Sequence, residues 1–250
     1  MRLTRCFVPP PLCAGEARLL PEQVSNHVAR VLRARAGDAL TLFDGRGGEF
    51  PATIERIDRH GVRVQVGAHQ AIERESALRV TLLQALARSE RMDLIVQKAT
   101  ELGVAAIVAW GGERSLLRLQ GAALTRRREH WQSVAISACE QCGRNRVPAM
   151  SIEPDLAAVC AQSDSAGLRL LLSPHGQRAL LSDPRLSMLP PDAAIALAVG
   201  PEGGFGDGEL ALAGQHGFEF CGLGPRVLRT ETAALAALAA LQAVAGDLRG

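Results

Sequence analysis

Two stretches of this chain carry residue types suited to holding a small ligand. The first, "LAVGPEGGFGDGEL" from Leu197 to Leu210, places five glycines and one proline after an apolar run. A glycine costs about 0.5–1 kcal/mol relative to alanine inside regular structure, so a cluster is kept for a tight turn or for a close approach to the backbone. The second, "LGPRVLRTETAAL" from Leu223 to Leu235, repeats the plan: a glycine-proline turn, then a helix start marked by Thr230, Glu231 and Thr232. Pro201 and Pro225 fix the local φ and cannot donate, so the neighbouring amides and carbonyls are held for a partner. Two such bends at one sheet edge form a cleft lined by main chain, which suits adenine and ribose. Around them, Glu202 and Glu231 are candidate general bases. Arg226 and Arg229 are candidates for holding a phosphate or a carboxylate, or for stabilising a developing anion. A Walker loop requires Gly-Lys-Ser/Thr, and Lys98 is the chain's single lysine. The G-x-G-x-x-G fingerprint of dinucleotide folds does not fit either.

The elements that must position these loops follow from periodicity. "LRVTLLQAL" reads as a buried strand and "SERMDLIVQKATELG" as a helix, with Met92, Ile95, Val96, Ala99 and Leu102 on one face, Ser89 as cap and Gly103 as stop. Further strands are expected at "VAAIVAW", "LRLLLS", "AAIALAVG" and "FEFCGLG", and helices over 124–142, from about 207 and from about 230. Strands alternating with helices imply an α/β domain with a mostly parallel sheet, and ligands in such sheets sit beyond the carboxyl ends of the strands. Residues 1–72 differ. One helix, with Val24, Val28, Val31 and Leu32 at helical spacing and Gly37 at its end, is followed by short β-prone runs separated by Asp-Gly and Gly-Gly. A small β-barrel domain over 1–72 and an α/β domain over 76–250 are therefore expected.

Composition narrows the class. The chain has 250 residues, 47% hydrophobic and 22% charged, a net charge of +2, 3% aromatics and no tyrosine. That is a globular composition, poorly suited to stacking bases on aromatic platforms. Between Arg114 and Arg146, seven arginines (114, 118, 126, 127, 128, 144, 146) face Glu129 and Glu140, a local basic patch. The proline-broken N-terminus is not a convincing signal peptide, and Ala233–Leu241 is too short for a bilayer span, so the chain reads as cytoplasmic. Its six cysteines fit reduced thiols. Cys139 and Cys142 have zinc half-site spacing but no second pair, so no metal is expected. His27 and His175 read as packing or surface residues.

Taken together, "LAVGPEGGF" followed by "LGPRVLRTETAAL", with "RMDLIVQKATELGV" and "ACEQCGRNRVP" upstream and "VLRARAGDALTLFDG" near the start, resemble the RsmE family of the SPOUT superfamily, the trefoil-knotted methyltransferases. The resemblance implies a SPOUT α/β trefoil knot behind a PUA-like RNA-binding β-barrel. It also implies S-adenosyl-L-methionine as cofactor, N3 of a uridine in small-subunit ribosomal RNA or the assembled small subunit as target, and a homodimer with the alanine-rich last helix as a plausible seam. Carried onto this sequence, the cofactor pocket falls on Leu172, Gly200, Glu202, Gly203, Leu223, Gly224, Leu228, Arg229, Thr230 and Ala233. Catalysis is expected among Arg229, Glu202, Glu231 and Arg226. RNA contacts are expected at Arg33, Arg114, Gln141, Arg144, Asn145 and Arg146. The alternative is a non-catalytic RNA-binding or assembly factor of the same fold.

Overall fold

A computed structural model describes residues 4–115, 121–176 and 178–249. The chain divides into two compact units, residues 1–75 with 139–147, and residues 76–138 with 148–250. The first unit runs from the N-terminal side through residue 75, and the second begins at residue 76. Recruitment of 139–147 into the first unit is not visible in the sequence.

In the first unit, strands β1 (Thr4–Phe7), β2 (Ala17–Leu19), β3 (Ala39–Phe43), β4 (Phe50–Asp58) and β5 (Gly61–Val66) form a mixed sheet in the order β1-β3-β4-β5-β2, with β1 parallel to β3 and the other pairs antiparallel. Alternation does the work: Ala52 and Ile54 of β4 and Val62, Val64 and Val66 of β5 point inward to a core shared with Leu40, Leu42 and Val28. The helix of this unit departs from its sequence pattern. Helix α1 (Glu22–Asn26) passes into a π-helical turn over His27–Val31, closed by the Leu32 N–H donating to the His27 carbonyl at 3.0 Å. The wider turn breaks the α-helical stripe. Val28 stays buried, whereas Val31 and Leu32, expected on the same face, are 68% and 41% exposed. The chain leaves this turn through Arg33, at φ 53°, and not through Gly37.

The second unit holds seven strands: β6 (Arg79–Ala85), β7 (Ala106–Trp110), β8 (Ala149–Glu153), β9 (Leu168–Leu172), β10 (Arg178–Ala179), β11 (Ala194–Val199) and β12 (Glu219–Gly222). They form an all-parallel sheet in the order β10-β12-β9-β11-β6-β7-β8. Helices α2 (Ser89–Glu101), α3 (Gly121–Cys142), α4 (Leu156–Gln162), α5 (Asp207–Gln215) and α6 (Thr230–Ala245) alternate with them. The near-continuous apolar runs of β6, β9 and β11 reflect burial of both sheet faces. Helix α2 ends as its sequence predicts, with Gly103 at φ 78° and the Val104 N–H returning to the Ala99 carbonyl. Its start differs: Arg88 occupies the cap position without a side-chain bond, and Ser89 is the first helical residue. Helix α6 packs on α2, and its buried Gln242 ties Leu102 to Ser76: Nε2 donates to the Leu102 carbonyl at 3.0 Å and Oε1 accepts from Ser76 Oγ at 2.6 Å.

Candidate functional site

Strands β12, β9 and β11 are neighbours, and their carboxyl ends lie level: Leu172 is in register with Val199 on one side and Cys221 on the other. Three loops therefore leave the sheet side by side, after β9, β11 and β12. Between them lies a cavity of about 740 Å³ in the second unit. Leu172, Gly200, Glu202, Gly203, Leu223, Gly224, Leu228, Arg229, Thr230 and Ala233 all line it, as does Arg226. Glu231 is not among its lining residues.

A polar chain joins the two glycine-proline loops. Thr230, the first residue of α6, donates through Oγ1 to the Gly200 carbonyl at 2.7 Å, and Gln84 Nε2 donates to Thr230 Oγ1 at 2.9 Å. Thr230 and Gln84 are buried, so this tether is shielded from water. The glycine cluster has more than one cause. Gly204 sits at φ 71°, a left-handed turn that favours glycine. At Gly200 a Cβ would come within 2.9 Å of the Phe205 ring, which is itself stacked near Trp110, and at Gly206 it would collide with the Glu113 carboxylate. Part of the cluster thus serves close packing beneath the loop, while Gly200, Gly203 and Gly204 line the cavity. Glu209 fixes the loop from behind: its buried carboxylate accepts the Gly206 N–H at 2.9 Å and the Glu113 N–H at 3.1 Å. Arg114 Nη1 donates to the Gly203 carbonyl at 3.3 Å and lines the cavity.

The charges at the cavity fall into two groups. Glu202 accepts from Arg91 Nη1 at 2.8 Å, and Arg91 Nε lies 3.8 Å from Glu231 Oε1, so one guanidinium serves two carboxylates. Glu231 Oε2 is buried with no hydrogen-bond partner among the described residues. Arg226 and Arg229 are exposed, and among the described residues neither guanidinium has a partner. The cavity thus offers a main-chain lining, apolar walls from Leu172, Val199, Leu223 and Leu228, and unspent positive charge. This donor set fits an adenosine carrying a charged amino-acid tail.

The remaining expected residues separate. Arg33 is exposed on the first unit. Gln141 is exposed at the end of α3. Arg144 and Asn145 are buried: Arg144 engages Glu75, with Nη2 at 2.5 Å, while Asn145 donates to the Ile72 carbonyl at 2.6 Å and to Glu49 and accepts from Arg5. Their side chains are spent inside the first unit. Arg146 remains exposed, with Glu73 at 3.5 Å. Arg126 and Arg127 line a depression on α3 with Ala123 and His130, and Arg118 lies outside the described residues. Cys139 is buried, its thiol pushed up to about 12 by burial, and no group of three or more His, Cys, Asp or Glu side chains is placed to hold a metal among the described residues.

Sequence reasoning missed Ser173, Pro174 and His175, which line the cavity from the loop after β9. His175 reads as a surface residue because the adjacency of β9 and β12 that brings it to the cavity is a tertiary fact. The signal available was Gly176: a Cβ there would come within 2.5 Å of the Cys221 backbone, so glycine is required for these two loops to pass. Arg91 was likewise read only as part of a helix.

Residues 74–242 match the RNA methyltransferase domain family, and residues 20–67 match the RNA methyltransferase PUA domain family. Ribosomal RNA small subunit methyltransferase E of Buchnera aphidicola (Schizaphis graminum) is 30% identical over 247 residues, covering 99% of this chain and 98% of its own length. The protein of the same name from Mycobacterium bovis is 34% identical, covering 86% of this chain and 82% of its own. Among solved structures, ribosomal RNA small subunit methyltransferase E of Neisseria gonorrhoeae, bound to S-adenosyl methionine, superposes with a TM-score of 0.91 at 36% identity, covering 99% of this chain and 100% of that one.

Proposed function

The chain belongs to the ribosomal RNA small subunit methyltransferase E family, and from that premise we propose that it transfers a methyl group from S-adenosyl-L-methionine to N3 of a uridine in small-subunit ribosomal RNA. The observation that carries this reading is the convergence of the loops after β11 and β12 on one cavity, with all ten residues assigned to the cofactor lining it.

The cofactor supplies an electrophilic methyl already activated by its sulfonium, so the chain's main task is alignment, a kind of positioning that contributes up to about 7–11 kcal/mol. Gly200, Gly203, Leu223 and Gly224 present main chain to it, Leu172 and Leu228 present apolar walls, and the Gln84–Thr230–Gly200 chain keeps the two loops at fixed separation. The imide proton of the uridine must also be displaced. Glu202 is already ion-paired with Arg91, whereas Arg226 and Arg229 are unpaired at the cavity. This favours loss of the N3 proton to solvent water, with the resulting negative imidate stabilised by Arg226 or Arg229, over proton removal by Glu202. Glu231, beside Arg91 and away from the lining, is assigned to holding that guanidinium.

RNA contacts are assigned to exposed Arg33, Gln141 and Arg146 of the first unit, where buried Arg144 and Asn145 hold the segment that carries Arg146. The same family premise, together with a sheet in which β11 lies between β9 and β6, supports a trefoil knot in the second unit. It also supports a homodimer seamed by α6, whose Leu235, Ala236, Ala239 and Ala240 stay half-buried. No helix among the described residues is long and apolar enough to cross a membrane, and a ribosomal RNA target supports the reading of a cytoplasmic enzyme. Incubation with methyl-labelled cofactor and, separately, tRNA, free small-subunit rRNA and small subunits, followed by mapping of the modified atom, tests the proposal. Label at uridine N3 of the small-subunit RNA supports it; label confined to tRNA or to a ribose hydroxyl overturns it.

A further inference from the structure

The π-helical turn at His27–Val31 creates a surface feature that its sequence pattern conceals. Val31 and Leu32 are consecutive large apolar residues, 68% and 41% exposed, although both belong to the stripe that α-helical spacing would bury. Single exposed apolar residues are ordinary on a protein surface, but an adjacent pair on a rigid turn is less so. The turn is rigid because both sides are fixed. The Leu32 N–H is bonded to the His27 carbonyl at 3.0 Å, the Ala34 N–H to the Val28 carbonyl at 3.1 Å, and Val28 is fully buried in the core. Arg33 then adopts φ 53°, a left-handed conformation that costs a non-glycine residue energy and that the surrounding bonds must sustain.

Charge identifies what this knuckle fits. Arg30, Arg33 and Arg35 flank the apolar pair and are exposed, and among the described residues none of their guanidinium groups has a partner. Asp38, the nearest acid in sequence, turns its carboxylate to the Arg35 backbone N–H at 2.7 Å. An apolar pair ringed by free arginines complements a polyanion that also offers flat apolar faces. RNA with unstacked bases provides both, whereas an A-form duplex buries its base faces in the stack. We propose that the Arg30–Arg35 knuckle is an RNA wedge, with Val31 and Leu32 packing against unstacked bases of the substrate RNA while the three arginines hold the neighbouring phosphates. This rests on the RNA-methylating reading above and adds a recognition element outside the transfer cavity.

The test is filter binding of the full chain to labelled small-subunit rRNA and to a perfect RNA duplex, each over a salt series. The double variant Val31→Ser/Leu32→Ser is expected to bind the rRNA about tenfold more weakly, from the loss of apolar burial, with an unchanged slope of log affinity against log salt and unchanged duplex binding. Arg33→Gln and Arg33→Gly are both expected to flatten the slope by about 0.7–0.9, one phosphate contact; the glycine variant keeps the left-handed backbone and so separates charge from conformation. Unchanged rRNA affinity in the serine double variant overturns the wedge, as does an equal loss on the duplex. A shift of the double variant to a smaller species by sedimentation overturns it too, since the pair would then be a protein contact. Cofactor titration of the same variants keeps the two proposals apart: a wedge failure leaves cofactor binding intact, whereas failure of the transfer reading appears as absent cofactor binding in the wild-type chain.

Discussion

The interior of the first unit and the Arg226–Arg229 edge of the second unit's cavity use the same residue, arginine, in opposite ways. Within residues 1–75 and 139–147, Arg5 donates to Glu49 at 2.5 Å and to Asn145 and lies 5.0 Å over the Phe43 ring, Arg74 reaches Glu49 at 3.1 Å, and Arg144 is held by Glu75. The Arg5 and Arg144 side chains there are buried and ion-paired, although Arg5 Nε has no partner among the described residues, and such pairing is the condition under which a buried charge is tolerated. At the cavity, Arg226 and Arg229 are exposed, and among the described residues neither guanidinium has a partner. A guanidinium without an internal partner is available to a ligand, whereas one that is ion-paired in the interior is committed to holding structure. In a chain whose cations are almost all arginine, partnership and not residue type separates function from scaffolding.

The contrast breaks if the paired network proves dispensable. Glu49→Ala leaves Arg5 and Asn145 without their shared acceptor and is expected to cost about 3–5 kcal/mol, read as a lower denaturant midpoint, with cofactor affinity of the folded fraction unchanged. Burial alone would raise the Glu49 carboxyl, but hydrogen bonds from Arg5, Arg74 and Asn145 bring it below the usual glutamate range. Its contribution is therefore present above that range and lost as pH falls through the lowered value, so wild type and Glu49→Gln should converge in acid. Arg226→Ala and Arg229→Ala sharpen the other side. At least one is expected to lower the methyl-transfer rate about 10²-fold with no change in thermal midpoint. Thr230→Val removes the bond to the Gly200 carbonyl while keeping the shape, and is expected to weaken cofactor binding about tenfold by calorimetry. The smallest effect belongs to Glu140, whose carboxyl is raised by burial despite the Phe7 N–H bond at 2.9 Å. A raised carboxyl favours the fold below the usual glutamate range and loses that advantage as pH rises through its folded value. Glu140→Gln is thus expected to be slightly more stable at neutral pH, with the difference vanishing in acid.

The same distinction explains what could be read from the sequence. The two loops were legible because glycine and proline write backbone conformation directly into composition, and the strands and helices of the second unit because their periodicities are long and uninterrupted. Gly103 stops α2 as expected. Arg144 and Asn145 were not legible as scaffold: Asn145 and Arg5 are 140 positions apart, and nothing in "GRNR" names that partner. Val31 and Leu32 misled for a local reason, since one π turn shifts every later residue off the helical stripe. His175 needed the order β12-β9-β11, which alternation of strands and helices implies only as a class.

Isothermal titration of S-adenosyl-L-methionine into the wild-type chain and into Thr230→Arg bears most directly on the central claim that the loops after β11 and β12 close around one sulfonium donor. Saturable heat in the wild type, abolished when an arginine side chain projects from the start of α6, is the predicted result. No heat in the wild type, or equal heat in both, would contradict it.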